Sequence, residues 1–184
     1  GRSLDIRFSG ETGKRKGYVE DPQLLVGAYG DADLGWEVAS LQAGQFETDN
    51  RADEDLDKLY LEANGGGNGF ETAALAWYYI ATYARTDAWE KRGKKGYIAT
   101  IGDEITGSVT PDQVRQYIDA DTTLQAPMTP TEVVALASEQ WNVYHFVINN
   151  NTARQQRSVE HYTALLGDNC IVVQDPAAVA ETIA

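Results

Sequence analysis

The sequence contains little that would crosslink the chain, span a membrane or attract nucleic acid. Cys170 is its one cysteine, which excludes a disulfide within the chain and a Cys-x-x-Cys metal site. No apolar run approaches the roughly 20 residues of a membrane helix, and no signal peptide is visible. The 15 basic residues are outnumbered by 28 acidic ones, for a net charge of −13. Since such a surface repels phosphate, we expect no nucleic-acid partner. From the single cysteine, the lack of a signal peptide and the lack of a long apolar run, we expect a cytoplasmic protein with no membrane partner.

Strand-like and helix-like segments alternate along the 184 residues. Segments 22–31 and 40–49 are typical of an antiparallel hairpin, whereas the later apolar runs are typical of buried parallel strands. Those strands are predicted over 94–104, 143–150 and 170–175, and helices over 49–64, 70–86, 110–119, 129–142, 156–169 and 176–184. We predict a single α/β domain over 1–184. Its doubly wound, mostly parallel sheet has one antiparallel edge strand and helices on both faces.

The most unusual stretch is the glycine-rich segment "NGGGNGFE", residues 64–71, between two predicted helices. Ligand sites in sheets of this class form beyond the carboxyl ends of the parallel strands. Three loops are therefore expected to converge at one edge: Ser9–Glu11, Gly65–Gly69 and Gly102–Glu104. This convergence is the main functional signal in the sequence.

Phosphate binding fits these loops poorly. In "SGETGKRK" Phe8 stands where the first glycine of a P-loop belongs, and Arg15 replaces the Ser or Thr that holds magnesium. The glycine loop 65–69 follows a predicted helix and not a strand, which argues against a dinucleotide fingerprint.

Acid–base catalysis would use Asp103 and Glu104, with Glu71 across the cleft, if their surroundings separate their pKa values. Adjacent acids at a strand end are more often solvated residues or metal ligands. His145 lies in the apolar run "VYHFV" and is predicted to be a core or strand-face residue whose hydrogen bonds are satisfied. His161, on an amphipathic helix, is predicted to lie at the surface.

A hard-cation site fits the three loops better. Mg²⁺ takes a few oxygen ligands and keeps several waters. Asp103 would supply the carboxylate, and Asn68 and Ser9 neutral oxygens. The acidic surface would concentrate cations, although the same charge could serve solubility alone.

Several segments together resemble the von Willebrand factor A-like domain, in particular its bacterial intracellular members. They are "GGGNGFETAALAW", "GYIATIGDE", "LQAGQFETDNRADEDL" and "WEKRGKKGYIATIGDE". The similarity runs from about Asp21 to the C-terminus. It implies a parallel sheet flanked by helices, with a metal-ion-dependent adhesion site at the top of the sheet.

The resemblance also implies a ligand set. The family's third element, an aspartate after a strand, falls on Asp103, and its second falls on Asn68, where threonine is usual. In the first element Ser9 takes the place of the first serine and Glu11 of the second, while Arg7 occupies the aspartate position. The implied cofactor is Mg²⁺, with Mn²⁺ or Ca²⁺ as alternatives.

The family's first strand and helix have no clear counterpart, because only about ten residues separate "SGET" from the strand at 22, fewer than a strand-to-helix unit needs. Either that segment is absent from this chain, or "SLDIRF" supplies the strand and Gly13–Gly17 replace the helix.

The resulting expectation is a protein-binding module, not an enzyme, whose protein ligand offers an acidic group to the ion. One alternative is a metal-dependent hydrolase that uses Asp103 and Glu104. Another is a scaffolding domain with a degenerate metal site. A hydrolase would need further histidine or carboxylate ligands, and the three loops offer none.

Overall fold

The computed structural model describes residues 23–32, 39–49, 51–60, 69–149 and 152–179. It divides the chain into two compact units, one of Gly1–Ala28 with Gln42–Leu61 and one of Tyr29–Leu41 with Glu62–Ala184. The strands are β1 (Gly27–Tyr29), β2 (Leu41–Ala43), β3 (Phe70–Glu71), β4 (Gly96–Gly102), β5 (Ile105–Thr106), β6 (Trp141–Ile148) and β7 (Cys170–Val173). The helices are α1 (Arg51–Lys58), α2 (Ala73–Tyr83), α3 (Asp87–Arg92), α4 (Pro111–Tyr117), α5 (Pro130–Ala137) and α6 (Ala153–Leu166).

The first unit contains antiparallel pairing and one short helix. Leu24 and Glu47 form an antiparallel bridge through two backbone hydrogen bonds of 2.8 and 2.9 Å. The Gln42 side chain binds both the N–H and the C=O of Tyr60, at 2.8 and 2.9 Å. The predicted pairing of segments 22–31 and 40–49 is confirmed by the sheet of β1 and β2, although each strand is only three residues long.

The second unit contains two parallel sheets. The larger one has the order β4-β6-β7, and its first pair runs in register from Gly96 opposite Trp141 to Gly102 opposite Val147. The smaller one joins β3 to β5. Continuous apolar runs such as "VYHFVI" explain the parallel pairing, because a central parallel strand is covered on both faces. The predicted α/β class with parallel strands is confirmed.

Successive side chains of β6 point to opposite faces of the larger sheet. His145 points towards α2 and α6, where it packs against Trp77 and Tyr162. Phe146 points the other way and forms a second core cluster with Val173 and Val179. The sheet is therefore buried on both sides of β6.

Threonine caps define three of the helices. Thr110 with Gln113, Thr129 with Glu132 and Thr152 with Gln155 form reciprocal capping boxes at α4, α5 and α6. The helix starts predicted from "TP" at 110 and 129 are confirmed. Within the described ranges, no helix is long and apolar enough to cross a membrane.

The helix predicted to start at Phe70 begins instead at Ala73. Phe70 and Glu71 form β3, which pairs in parallel with Ile105 and Thr106. Two residues are too few to show a strand period, so only the tertiary pairing defines this strand. The same holds for β5.

We predict that Gly96→Ala lowers the free energy of unfolding by about 1–3 kcal/mol, because the added methyl group would overlap the indole ring of Trp141 on the paired strand. Urea denaturation measures the change. Gly107→Ala is the matched control, since a Cβ there meets no atom within 4 Å and the free energy should change by less than about 0.5 kcal/mol. Equal effects of the two variants would contradict the packing explanation.

Candidate functional site

The segment that follows β4 is hydrogen-bonded to the start of α2. Gly102 ends β4, Asp103 and Glu104 follow, and β5 begins at Ile105. The hydroxyl of Thr106 in β5 accepts a hydrogen bond from the N–H of Ala74 at 2.9 Å. Together with the β3–β5 pairing, this contact holds the segment after the glycine loop beside the end of β4.

Gly102 has two polar side chains against its Cα. A Cβ at this position would lie 2.5 Å from Oε2 of Glu71 and 2.8 Å from the hydroxyl of Tyr29. Cβ atoms do not approach other atoms so closely, so any other residue here would displace the ends of these two side chains. The carboxylate of Glu71 therefore lies at the last residue of β4, one position before Asp103.

Tyr29 is hydrogen-bonded to the end of β4. Its hydroxyl donates a hydrogen bond to the backbone oxygen of Ile101 at 2.7 Å. Burial raises the pKa of Tyr29 well above its ordinary value, and the nearby charge of Glu71, followed by Tyr162 and Asp103, adds to the increase. Tyr29 thus stays protonated beside two acidic side chains. A tyrosine just before a Gly-Asp turn was the only signal for it in the sequence.

Asp103 is held by α6. Its backbone oxygen accepts a hydrogen bond of 2.8 Å from the hydroxyl of Ser158, and Oδ2 accepts a longer one of 3.5 Å from the amide of Gln155. Sequence reasoning missed both partners. The Thr-x-x-Gln pattern at 152–155 could have indicated the capping role of Gln155, but not its contact with Asp103.

Glu104 behaves differently from its neighbour. Only 7% of the residue is exposed, and its carboxylate forms an ion pair with Arg154 on α6. The Arg154 side chain remains 51% exposed. A buried carboxylate that already has a cationic partner is a poor general base, which weakens the catalytic pairing of Asp103 with Glu104.

A buried aromatic cluster lies behind this edge. Nδ1 of His145 is 2.8 Å from the Thr100 hydroxyl, which also accepts a hydrogen bond from the Trp77 indole at 3.1 Å. The rings of His145 and Tyr162 stack with centroids 3.6 Å apart. Burial lowers the pKa of His145 to about 3, with a smaller contribution from His161, so the imidazole is neutral at physiological pH.

The two histidines both contact the ring of Tyr162. His145 is a core residue, as expected, with no exposed surface. The surface prediction for His161 was wrong: this residue is half-buried, and its ring meets that of Tyr162 edge-on with centroids 5.0 Å apart. The mostly polar sequence of α6 gave no sign of this contact, because a single position on an exposed helix can still border the core.

Of the four predicted metal ligands, Asp103 lies at the expected edge. Asn68, Ser9 and Glu11 lie outside the described residues, as does Arg7. Within the part of the chain that the structure describes, no group of three or more His, Cys, Asp or Glu side chains is arranged to hold a metal ion. Asp103 and Glu71 are the carboxylates that both influence Tyr29.

The chain matches no protein-family model, no curated protein and no solved structure. The resemblance to the von Willebrand factor A-like domain therefore depends on the sequence segments alone.

We predict that acidification destabilises the protein before its carboxylates titrate. The pKa of His145 is about 3 in the folded chain and near 6.5 when unfolded. Below pH 6.5 the imidazole of His145 is therefore protonated in the unfolded chain but not in the folded one. Protonation favours the unfolded chain, so the free energy of unfolding falls as the pH is lowered. The free energy of unfolding should drop by about 2 kcal/mol between pH 7.5 and pH 5 from this residue.

Urea denaturation at a series of pH values measures the effect. In His145→Asn the slope should flatten markedly, whereas His161→Asn should retain most of it. An unchanged slope in His145→Asn would exclude His145 as the source.

Proposed function

We propose that this chain is a protein-binding module of the von Willebrand factor A type, with its ligand site at the carboxyl end of β4 around Asp103. The proposal includes a doubly wound sheet with helices on both faces. The observation that carries it is the close approach of Glu71 and Tyr29 to Gly102, next to Asp103. A binding site at this edge agrees with the general behaviour of parallel α/β sheets.

The proposed site takes a divalent cation, Mg²⁺ in the first place and Mn²⁺ or Ca²⁺ as alternatives. The available donors fit that chemistry, because carboxylate oxygens are the ligands that hard cations prefer. Asp103 and Glu71 would provide them among the described residues. Asn68, Ser9 and Glu11 are the further donors that the family resemblance implies.

Electrostatics supports a cation more than an anion here. Asp103 and Glu71 are close enough to Tyr29 for both to raise its pKa, so the edge has a negative local potential. A bound divalent ion would neutralise the two carboxylates. The protein ligand would then approach with an acidic group without repulsion.

We propose binding and not catalysis because the neighbouring groups are unsuited to activating water. Glu104 is paired with Arg154, and His145 lies in the core in its neutral form. A hydrolase would need an accessible base at this edge. The runner-up is a scaffolding domain whose metal site is degenerate.

Isothermal calorimetry with MgCl₂ and with MnCl₂ tests the proposal. We predict measurable binding to the wild-type protein and at least a roughly tenfold loss of affinity, about 1.4 kcal/mol, in both Asp103→Asn and Glu71→Gln. The matched control is Asp121→Asn, which removes the same charge from an exposed turn and should leave the affinity unchanged.

Three results would count against the cation site. If titration of the wild-type protein with millimolar metal releases or absorbs no heat of binding, the scaffolding hypothesis is favoured. An equal loss in Asp121→Asn would indicate only a general effect of net charge. Wild-type affinity in Glu71→Gln would remove that residue from the site.

A further inference from the structure

Helix α6 contacts the loop after β4 through three of its side chains. Arg154 pairs with Glu104, Gln155 contacts the carboxylate of Asp103, and Ser158 contacts its backbone oxygen. Positions 154, 155 and 158 are adjacent on a helix surface, because residues three or four apart lie one turn above each other. One region of α6 thus holds two consecutive loop residues.

The capping box fixes the orientation of the Gln155 amide. Its oxygen accepts hydrogen bonds from the backbone N–H and the hydroxyl of Thr152, at 3.4 and 3.0 Å. The amide NH₂ group therefore has to point the other way, towards Oδ2 of Asp103. Gln155 is only 7% exposed, so packing further restricts its rotamers.

Ser158 adds a second restraint one turn later. The residue is 1% exposed, and its hydroxyl donates to the Asp103 backbone oxygen at 2.8 Å. The backbone and the side chain of Asp103 are thus held by the same helix. The Gln155 amide contacts Oδ2 of Asp103 and not the other carboxylate oxygen, Oδ1.

We propose that Gln155 and Ser158 are positioning residues that fix Asp103 so that a single carboxylate oxygen, Oδ1, faces a bound cation. This inference rests on the cation site proposed above. It extends that site to cation specificity. Mg²⁺ requires near-octahedral geometry and short bonds, whereas Ca²⁺ accepts flexible and bidentate carboxylates. A fixed, monodentate Asp103 therefore favours Mg²⁺ over Ca²⁺.

Gln155→Met is the informative substitution, and Gln113→Met is its control. Gln113 occupies the same capping position in α4, with its side-chain oxygen on the N–H of Thr110 at 2.9 Å. Both substitutions remove a capping box and should cost similar stability. Only Gln155→Met also removes a contact with Asp103. Ser158→Ala removes the second contact and leaves the cap of α6 in place.

Calorimetry with MgCl₂ and with CaCl₂ on each full-length variant gives the first readout. We expect Gln155→Met to weaken Mg²⁺ binding about tenfold and Ca²⁺ binding less than about twofold, with a smaller shift in the same direction for Ser158→Ala. Gln113→Met should leave both affinities unchanged. Equal losses for the two cations, or no loss for either, would overturn the positioning role.

Amide hydrogen exchange of residues 103–106, measured without metal, gives a readout that does not depend on the cation site. We expect about tenfold faster exchange in Gln155→Met and Ser158→Ala than in Gln113→Met. If wild-type protein binds neither cation but this exchange difference is present, the cation site fails and the restraint by α6 stands. If the exchange rates agree in all three variants, the positioning proposal fails whatever the metal results.

Discussion

The arrangement of the proposed site depends on the missing side chain at Gly102. The Glu71 carboxylate and the Tyr29 hydroxyl occupy the space in which any other residue would place its Cβ. Both side chains come from segments that are distant in sequence from β4. The pairing of β3 with β5 places Glu71 near the end of β4, and the absent side chain at Gly102 leaves room for its carboxylate. The absence of a Cβ at one backbone position thus leaves room for a carboxylate beside the end of β4.

This edge also illustrates how a fold can keep neighbouring acidic residues distinct. Asp103 and Glu104 are adjacent in sequence, yet one is half-buried and the other is nearly inaccessible and paired with Arg154. The difference arises because consecutive residues leave a strand in different directions. Composition alone would count both as equivalent surface charges.

Much of the architecture followed from local patterns. The apolar runs of β4, β6 and β7 and the Thr-Pro starts of α4 and α5 are signals contained within short windows. Position 103 was predictable for the same reason, since it directly follows a strand. Glu71 was expected across from Asp103 and Glu104, but the contacts that put it there were not predictable. They depend on a two-residue strand and on Gly102, about thirty positions away, and neither has a local periodic signal. Likewise, nothing near Gln155 in sequence indicates that its amide reaches Asp103.

The stacked rings behind the site have a consequence for internal motion. Tyr162 has no exposed surface, lies flat against His145, and meets Trp77 and His161 at its edges. Rotation of its ring about the Cβ–Cγ axis would require these neighbours to move apart together, since a close-packed interior offers little free volume. Ring reorientation at Tyr162 should therefore report on transient expansion of the core. The rate at which this ring flips would therefore measure how often the core of the second unit expands.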